Sequence, residues 1–279
     1  MNQAKPNLFD IARANAPRLE HRVEKIRSDL QPKDAQILSD FMDWFVGKAR
    51  ISINMPPAIL AIFSRTGIYQ NIHAWAEEKA KISDRQRDQC LQEKLGNNYD
   101  RRMAFDGTFK DGYRFVYAAV NTGGIGTSKF GIFCAVLTDD LPSQTDEIAY
   151  IVDDSLSCCF AESGNLCLEL LSDNISPHTH RHYLAALKHA QEVVLSQEDS
   201  WQSLIVSDAC YIETILGKAP VFSSITEVRL RRENYDELWE LAFANFGRKL
   251  SDADKALVLD FSHIIALSKQ GSFILEVLQ

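Results

Sequence analysis

Residues 49–57 read Ala49-Arg50-Ile51-Ser52-Ile53-Asn54-Met55-Pro56-Pro57, and a change of period inside this stretch decides the class of fold. Ile51, Ile53 and Met55 alternate with Ser52 and Asn54, the two-residue repeat of a strand that buries one face, and the paired prolines close it. Upstream, Leu8, Ile11 and Ala12, then Ile37, Phe41, Trp44 and Phe45, recur at helical spacing, with Pro32 between two segments. Residues 8–47 therefore predict a helical flank, and the chain turns β-rich at Arg50.

Working outward, residues 58–64 resume a helix that Thr66-Gly67 ends, and 69–96 is charged and mostly helical, with Gly96-Asn97-Asn98 as terminator. Strands are expected over 113–121, 130–138 and 147–152, the first two separated by the flexible loop Thr122-Gly123-Gly124-Ile125-Gly126. A helix over 177–196, strands over 208–216 and 225–230, and helices over 235–245 and 253–267 complete the reading. The order is α, then β-rich with interspersed helices, then α. No unit of 20 to 50 residues repeats and βαβ alternation is irregular, so the expectation is α+β and not a solenoid, TIM barrel or Rossmann sheet. Three regions follow: a helical flank over 1–48, a core over 49–230, and C-terminal helices over 231–279 packed on that core.

The chain has 279 residues, 46% of them hydrophobic, with only 8 Pro and 13 Gly, so most of it is expected to fold around a core. Its formal charge is -8, and the best basic run is Arg229, Arg231 and Arg232, which argues against gripping a phosphate backbone by charge and hence against nucleic acid. The longest apolar run, 131–137, is too short to span a bilayer, so no membrane is expected. The N-terminus lacks the charged start and apolar run of a cleaved signal peptide. Six cysteines, at 90, 134, 158, 159, 167 and 210, include no CxxC pair, which suggests a reducing compartment and no zinc. A cytoplasmic location is expected; export by a dedicated secretion system without a cleaved leader into another cell's cytosol is compatible with the same features.

Few stretches carry chemistry by composition alone. The glycine loop 122–127 follows a strand but leads to another strand, and it satisfies neither GxGxxG nor GxxxxGK[ST]; it reads as a hairpin loop or as one wall of a ligand cleft. His178, His180 and His182 stand two apart at a helix start, where side chains diverge; helical metal ligands use three- or four-residue spacing, so no metal is expected. Glu213 falls mid-strand in Tyr211-Ile212-Glu213-Thr214-Ile215, either on a solvated outer face or as a buried acid that needs a partner or a function. Asp154 and Ser155, at the end of a strand, read as a turn or helix cap or as part of the same site.

Several blocks together resemble a little-characterised bacterial family of the ADP-ribosyltransferase superfamily. They are the strand from Arg50 through Asn54 to Pro57; Gly67-Ile68-Tyr69-Gln70; Leu95-Gly96-Asn97-Asn98-Tyr99-Asp100; Tyr117-Ala118-Ala119-Val120-Asn121 with Phe130-Gly131; Val152-Asp153-Asp154-Ser155; and Tyr211-Ile212-Glu213. They stay in order over about two-thirds of the chain. Asn54 stands where the family usually has His, and Leu216-Gly217 replaces a family His after the glutamate.

The resemblance implies a split mixed β-sheet core with an N-terminal helical lobe and C-terminal helices, and NAD as substrate. It implies that Glu213 is catalytic: it would hold a ribose hydroxyl and stabilise an oxocarbenium-like transition state as the nicotinamide–ribose bond breaks. Arg50 would bind phosphate or ribose oxygens, with Asn54 offering an amide; the first-strand role falls to one of these two. Ser155 would orient Glu213 or Arg50, with Asp154 behind it, Tyr69 would stack on nicotinamide, and Asn121 and Gly124 would line the cleft. Tyr211 occupies the place where arginine-modifying members carry Gln or Glu, which leaves the acceptor side chain open. The expectation is a mono-ADP-ribosyltransferase acting on a protein acceptor as a bacterial toxin or effector. The alternatives are an NAD glycohydrolase, with water as acceptor, and an inactive interaction module of the same fold.

Overall fold

A computed structural model describes residues 4–83, 85–244 and 250–279. Helix α1 (Leu8–Asp29) begins where the Asn7 side chain accepts the Phe9 amide at 2.9 Å, and α2 (Pro32–Lys48) begins at a proline, whose missing N–H is no loss in a first helical turn. Strand β1 (Arg50–Met55) leads into α3 (Pro57–Thr66), which Gly67 ends at φ 74°. Then come α4 (Ile72–Ser83), α5 (Arg87–Leu95) and α6 (Tyr99–Thr108). Strands β2 (Val116–Asn121) and β3 (Phe133–Leu137), short helix α7 (Leu141–Gln144) and strand β4 (Ile148–Ile151) follow. Helices α8 (Ser155–Cys158) and α9 (Leu168–Asp173) precede β5 (Ile175–Pro177), α10 (Arg181–Val194), α11 (Glu198–Ile205) and β6 (Glu213–Leu216). The chain ends with β7 (Ile225–Arg231), α12 (Arg232–Trp239), α13 (Asp252–Lys269) and β8 (Ile274–Leu278).

The eight strands among the described residues join one open mixed sheet in the order β5-β4-β6-β2-β1-β3-β7-β8, antiparallel except for the β7–β8 pair. The class is α+β. The sheet is continuous where a split mixed sheet was expected, but the joint is narrow: β1 and β2 pair only from Arg50↔Asn121 to Ser52↔Ala119. Beyond Ser52, β1 pairs on with β3 through Met55↔Phe133, while residues 116–118 of β2 pair with β6 alone. The two halves share three rungs of ladder and then part.

Helices cover both faces. On one, Phe41 and Phe45 of α2, Leu184 and Val193 of α10 and Phe261 and Ile264 of α13 pack against Ile51, Ile53, Val120, Tyr150 and Val228 of the sheet. On the other, Leu8 and Phe9 of α1, Phe105 of α6 and Leu171 of α9 pack against Ala149, Ile151 and Ile215. This second cover does not include the joint between the halves.

Several elements differ from the sequence reading. The helix expected over 69–96 is two helices, and the chain re-enters a helix at Tyr99, where Arg102 and Phe105 find a buried face. The strand expected over 208–216 begins only at Glu213; before it, the Ile212 carbonyl accepts the Val120 amide at 2.9 Å and Tyr211 forms an isolated bridge with Val206. Pro177 ends β5 instead of opening a helix, and α10 starts at Arg181. Helix α11 and strand β8 were not expected. The C-terminal stretch is therefore not wholly helical, because β8 pairs in parallel with β7 from Glu227↔Ile274 to Arg231↔Leu278. Asn245, the last residue of the helix expected over 235–245, lies outside the described residues.

Candidate functional site

Pairing places Ile151, Glu213, Ala119 and Ser52 side by side in one row across four strands, with side chains on the same face. That row holds the last rung before β1 and β2 part, Ser52↔Ala119, and a cavity of about 390 Å³ opens there. One wall is apolar and aromatic, from Ile59 and Phe63 of α3 to Tyr69, Ile72 and Trp75. The floor is polar, made by Ser52, Asn54, Arg102, Asp154, Tyr211 and Glu213. An apolar slot with a few convergent polar groups is the usual form of a small-molecule site.

Glu213 is only 4% exposed, so it is not on a solvated outer face. The Ser155 amide donates to its Oε2 at 3.0 Å, and the buried Ser155 hydroxyl stands beside the same carboxylate without a hydrogen bond that satisfies its geometry. Burial pushes the Glu213 carboxyl up to about 7; Arg102 and Ser155 pull it down, and Asp154 pushes it up. Asp154 is the N-cap of α8: its Oδ1 accepts the Leu156 amide at 2.9 Å and its Oδ2 accepts the Tyr211 hydroxyl at 3.1 Å. Lys188 Nζ ties the two approaches together, donating to the carbonyls of Val152 at 2.6 Å and Tyr211 at 2.8 Å.

Beneath the floor lies a buried polar chain that sequence reasoning missed. Arg87 Nη2 lies 2.7 Å from His73 Nδ1, and His73 Nε2 lies 2.6 Å from Asp106 Oδ2. A guanidinium carries only donors, so Nδ1 accepts and Nε2–H donates to Asp106. The other Asp106 oxygen accepts the Tyr117 hydroxyl, and Arg102 lies over the Tyr117 ring at 3.5 Å with its Nη1 3.7 Å from Asp106 Oδ1. Burial lowers the Arg102 pKa, but Tyr117, Asp106, Glu213 and Asp154 raise it by more, so this cation is held charged. The available signal was Arg102 and Asp106 at four-residue spacing in a segment with Phe105 between them, an ion pair on one side of a helix.

The other expected site residues divide. Tyr69 lines the cavity edge-on to Phe63 at 5.5 Å, and burial pushes its hydroxyl up to about 12. Asn54 lines the cavity with both amide protons used: Nδ2 donates to the carbonyls of Ile125 at 2.9 Å and Gly131 at 3.0 Å, and Oδ1 accepts the Thr127 amide at 2.9 Å. Asn121 also pins the glycine loop, its Oδ1 accepting the amides of Gly123 and Gly124 and its Nδ2 donating to the Gly124 carbonyl. Neither Asn121 nor Gly124 is among the lining residues.

Arg50 is not brought to Glu213. It sits at the first rung of β1, where Asp139, just after β3, draws the guanidinium into an ion pair, and its Nη1 donates to the carbonyls of Gly47 and Ala49. There it lines a second cleft of about 230 Å³ with Tyr150, His178 and Arg181.

The three histidines go to different neighbours: His178 to the Tyr150 hydroxyl at 2.9 Å, His180 to Thr179 at 2.9 Å, and His182 against the Tyr183 ring at 4.3 Å. Among the described residues no group of three His, Cys, Asp or Glu side chains is arranged to hold a metal ion, and no helix is long and apolar enough to cross a membrane. No family model matches the chain, and no curated protein matches it.

Proposed function

We propose that the protein cleaves NAD at the nicotinamide–ribose bond in the Glu213 cavity and transfers ADP-ribose to a protein acceptor. The observation that carries this reading is the buried carboxylate of Glu213 at the parting of the sheet, facing a cavity with an aromatic wall. The electrostatics of the floor support it. Glu213, Asp154 and Asp106 all act on Arg102, and Lys94 is a second cation among the lining residues; positive charge that develops beside Glu213 meets a carboxylate at low local dielectric, where the attraction is strong. Cleavage of NAD creates such charge. As the C1′–N bond breaks, its electron pair leaves with nicotinamide, the ring loses its positive charge, and the ribose becomes oxocarbenium-like.

A carboxylate held beside that carbon interacts more strongly as the cation develops, so it lowers the barrier more than it tightens binding of NAD. The Ser155 amide fixes the orientation of the carboxylate, and the wall of Tyr69, Phe63 and Trp75 takes the flat nicotinamide ring. The acceptor nucleophile then bonds to C1′ and gives up its proton to solvent or to a neighbouring base.

The test is incubation with labelled NAD and cell lysate, from both bacterial and eukaryotic sources, beside Glu213→Gln. A labelled protein band absent from the variant supports the transferase. Nicotinamide release without a band makes water the acceptor. No release and no band with either lysate overturns the reading.

A further inference from the structure

Among the described residues, Arg102 is a buried cation whose donors the protein leaves unused. Its guanidinium offers five N–H groups, yet among the described residues it donates no hydrogen bond: Nη1 is buried without a partner, and Asp106 Oδ1 stands 3.7 Å away, beyond hydrogen-bond distance. The residue is 7% exposed, lies over the Tyr117 ring, and lines the cavity beside Glu213. Burying charged donors without acceptors is costly, and folded proteins rarely leave such groups unpaired. Asp106, itself held by His73 and Tyr117, anchors the charge but does not satisfy the fork. The cavity beside it is where a bound molecule can present the missing acceptor.

The surroundings define that acceptor. A free anion on Arg102 would also face Glu213 and Asp154, whose charges already reach the guanidinium. A neutral group with both lone pairs and protons satisfies every partner at once: it accepts from Arg102 and donates to Glu213. We propose that Arg102 and Glu213 clamp the vicinal diol of a ribose, the guanidinium donating to the hydroxyl oxygens and the carboxylate accepting a hydroxyl proton. Resting on the NAD reading, this is the 2′,3′-diol of the ribose that carries nicotinamide, because Glu213 acts at the adjacent C1′. Arg102 is then a substrate-binding residue.

Melting-temperature titrations measure binding of NAD, and of NAD lacking the 2′- or the 3′-hydroxyl of the nicotinamide-side ribose, to the wild type and to Arg102→Met. In the wild type, loss of at least one hydroxyl is expected to weaken binding about tenfold, the scale of one hydrogen bond to a charged group. Arg102→Met is expected to weaken NAD by a similar factor and to distinguish NAD from that deoxy analogue several-fold less than the wild type does, because only a contact with Glu213 then remains to lose. Should Arg102→Met fail to fold, Arg102→Met/Asp106→Asn, which removes the buried pair together, makes the same comparison. Equal discrimination by wild type and variant overturns the diol clamp while the NAD reading stands. Failure of the wild type to bind NAD overturns both.

Discussion

Ser155 and Glu213 are joined by one hydrogen bond, amide to Oε2 at 3.0 Å, between the residue that opens α8 and the residue that opens β6. The bond spans 58 positions of sequence, so the carboxylate acquires its orientation only when β4 and β6 pair. The same β4–β6 pairing brings Asp154 beside it. An acid oriented this way and kept from water is costly to the fold and ready for chemistry.

Glu213→Gln keeps the shape of the side chain and an oxygen for the Ser155 amide, but removes the charge that a developing ribose cation needs. Nicotinamide release is expected to fall at least a hundredfold, the scale of one preorganised electrostatic contact. In the wild type, release is expected to rise with pH and level off above about 7, as the carboxyl ionises. Wild-type turnover in the variant would remove Glu213 from the reaction.

The same acid makes the fold depend on pH. With its carboxyl raised from 4.5 to about 7, folded Glu213 keeps a proton that the unfolded chain has released, so stability falls as pH rises between those values and is flat above them. The shift corresponds to roughly 3 kcal/mol. Glu213→Gln is expected to lack this slope and to melt higher than wild type at pH 8. Parallel melting curves for the two proteins from pH 4.5 to 8 would contradict the burial of the charge.

Legibility in the sequence followed the range of the interactions. The period-two alternation of Ile51, Ile53 and Met55 marks β1, and the isolated acid in an apolar strand marks Glu213, because both patterns are local. The joint of three rungs between β1 and β2 is not local: it depends on where β6 and β3 draw their neighbours. Arg102 was hidden for a related reason. Gly96-Asn97-Asn98 carries the signature of a helix terminator, yet the chain passes through it as one tight turn and continues into α6, and only tertiary packing turns Arg102 inward. The place of the Arg50 side chain was not legible either, because the resemblance assigned it a role from the strand alone, while Asp139, 89 residues along the chain, sets where a long side chain ends at a strand terminus.

Arg50→Ala separates those two placements. Its ion pair with Asp139 is partly open to solvent, and such pairs contribute little to stability. Melting is expected to move by less than about 2 °C, and NAD turnover by less than about twofold. A hundredfold loss of turnover would show that the guanidinium leaves Asp139 and enters the Glu213 cavity when substrate binds.

Asp106→Asn removes the carboxylate paired with Arg102 at 3.7 Å and leaves the buried cation only Glu213 and Asp154. Asp106 is fully buried and receives His73 and Tyr117 as well as facing Arg102. Removing one partner of a buried charge pair costs about 3–5 kcal/mol, which at this chain length lowers the melting temperature by roughly 5–9 °C. Calorimetric melting checks it; a shift under 2 °C would mean that Asp106 does not carry the charge assigned to it.

The glycine loop yields the last contrast. Gly126 has φ 68°, and a Cβ there would lie 2.1 Å from Asn54 Oδ1, the atom that accepts the Thr127 amide. Alanine must either displace Asn54 or move the loop, and it also adopts a left-handed backbone that L side chains disfavour. Gly124→Ala meets nothing nearer than 3.8 Å and trims the freedom of the unfolded chain. Gly126→Ala is therefore expected to lose about 2 kcal/mol or more in urea unfolding, and Gly124→Ala to stay within about 0.5 kcal/mol of wild type. Because Asn54 and Thr127 both line the cavity, Gly126→Ala is also expected to weaken NAD binding, and Gly124→Ala to leave it unchanged. Equal behaviour of the two variants would mean that the loop is not pinned to β1 through Asn54.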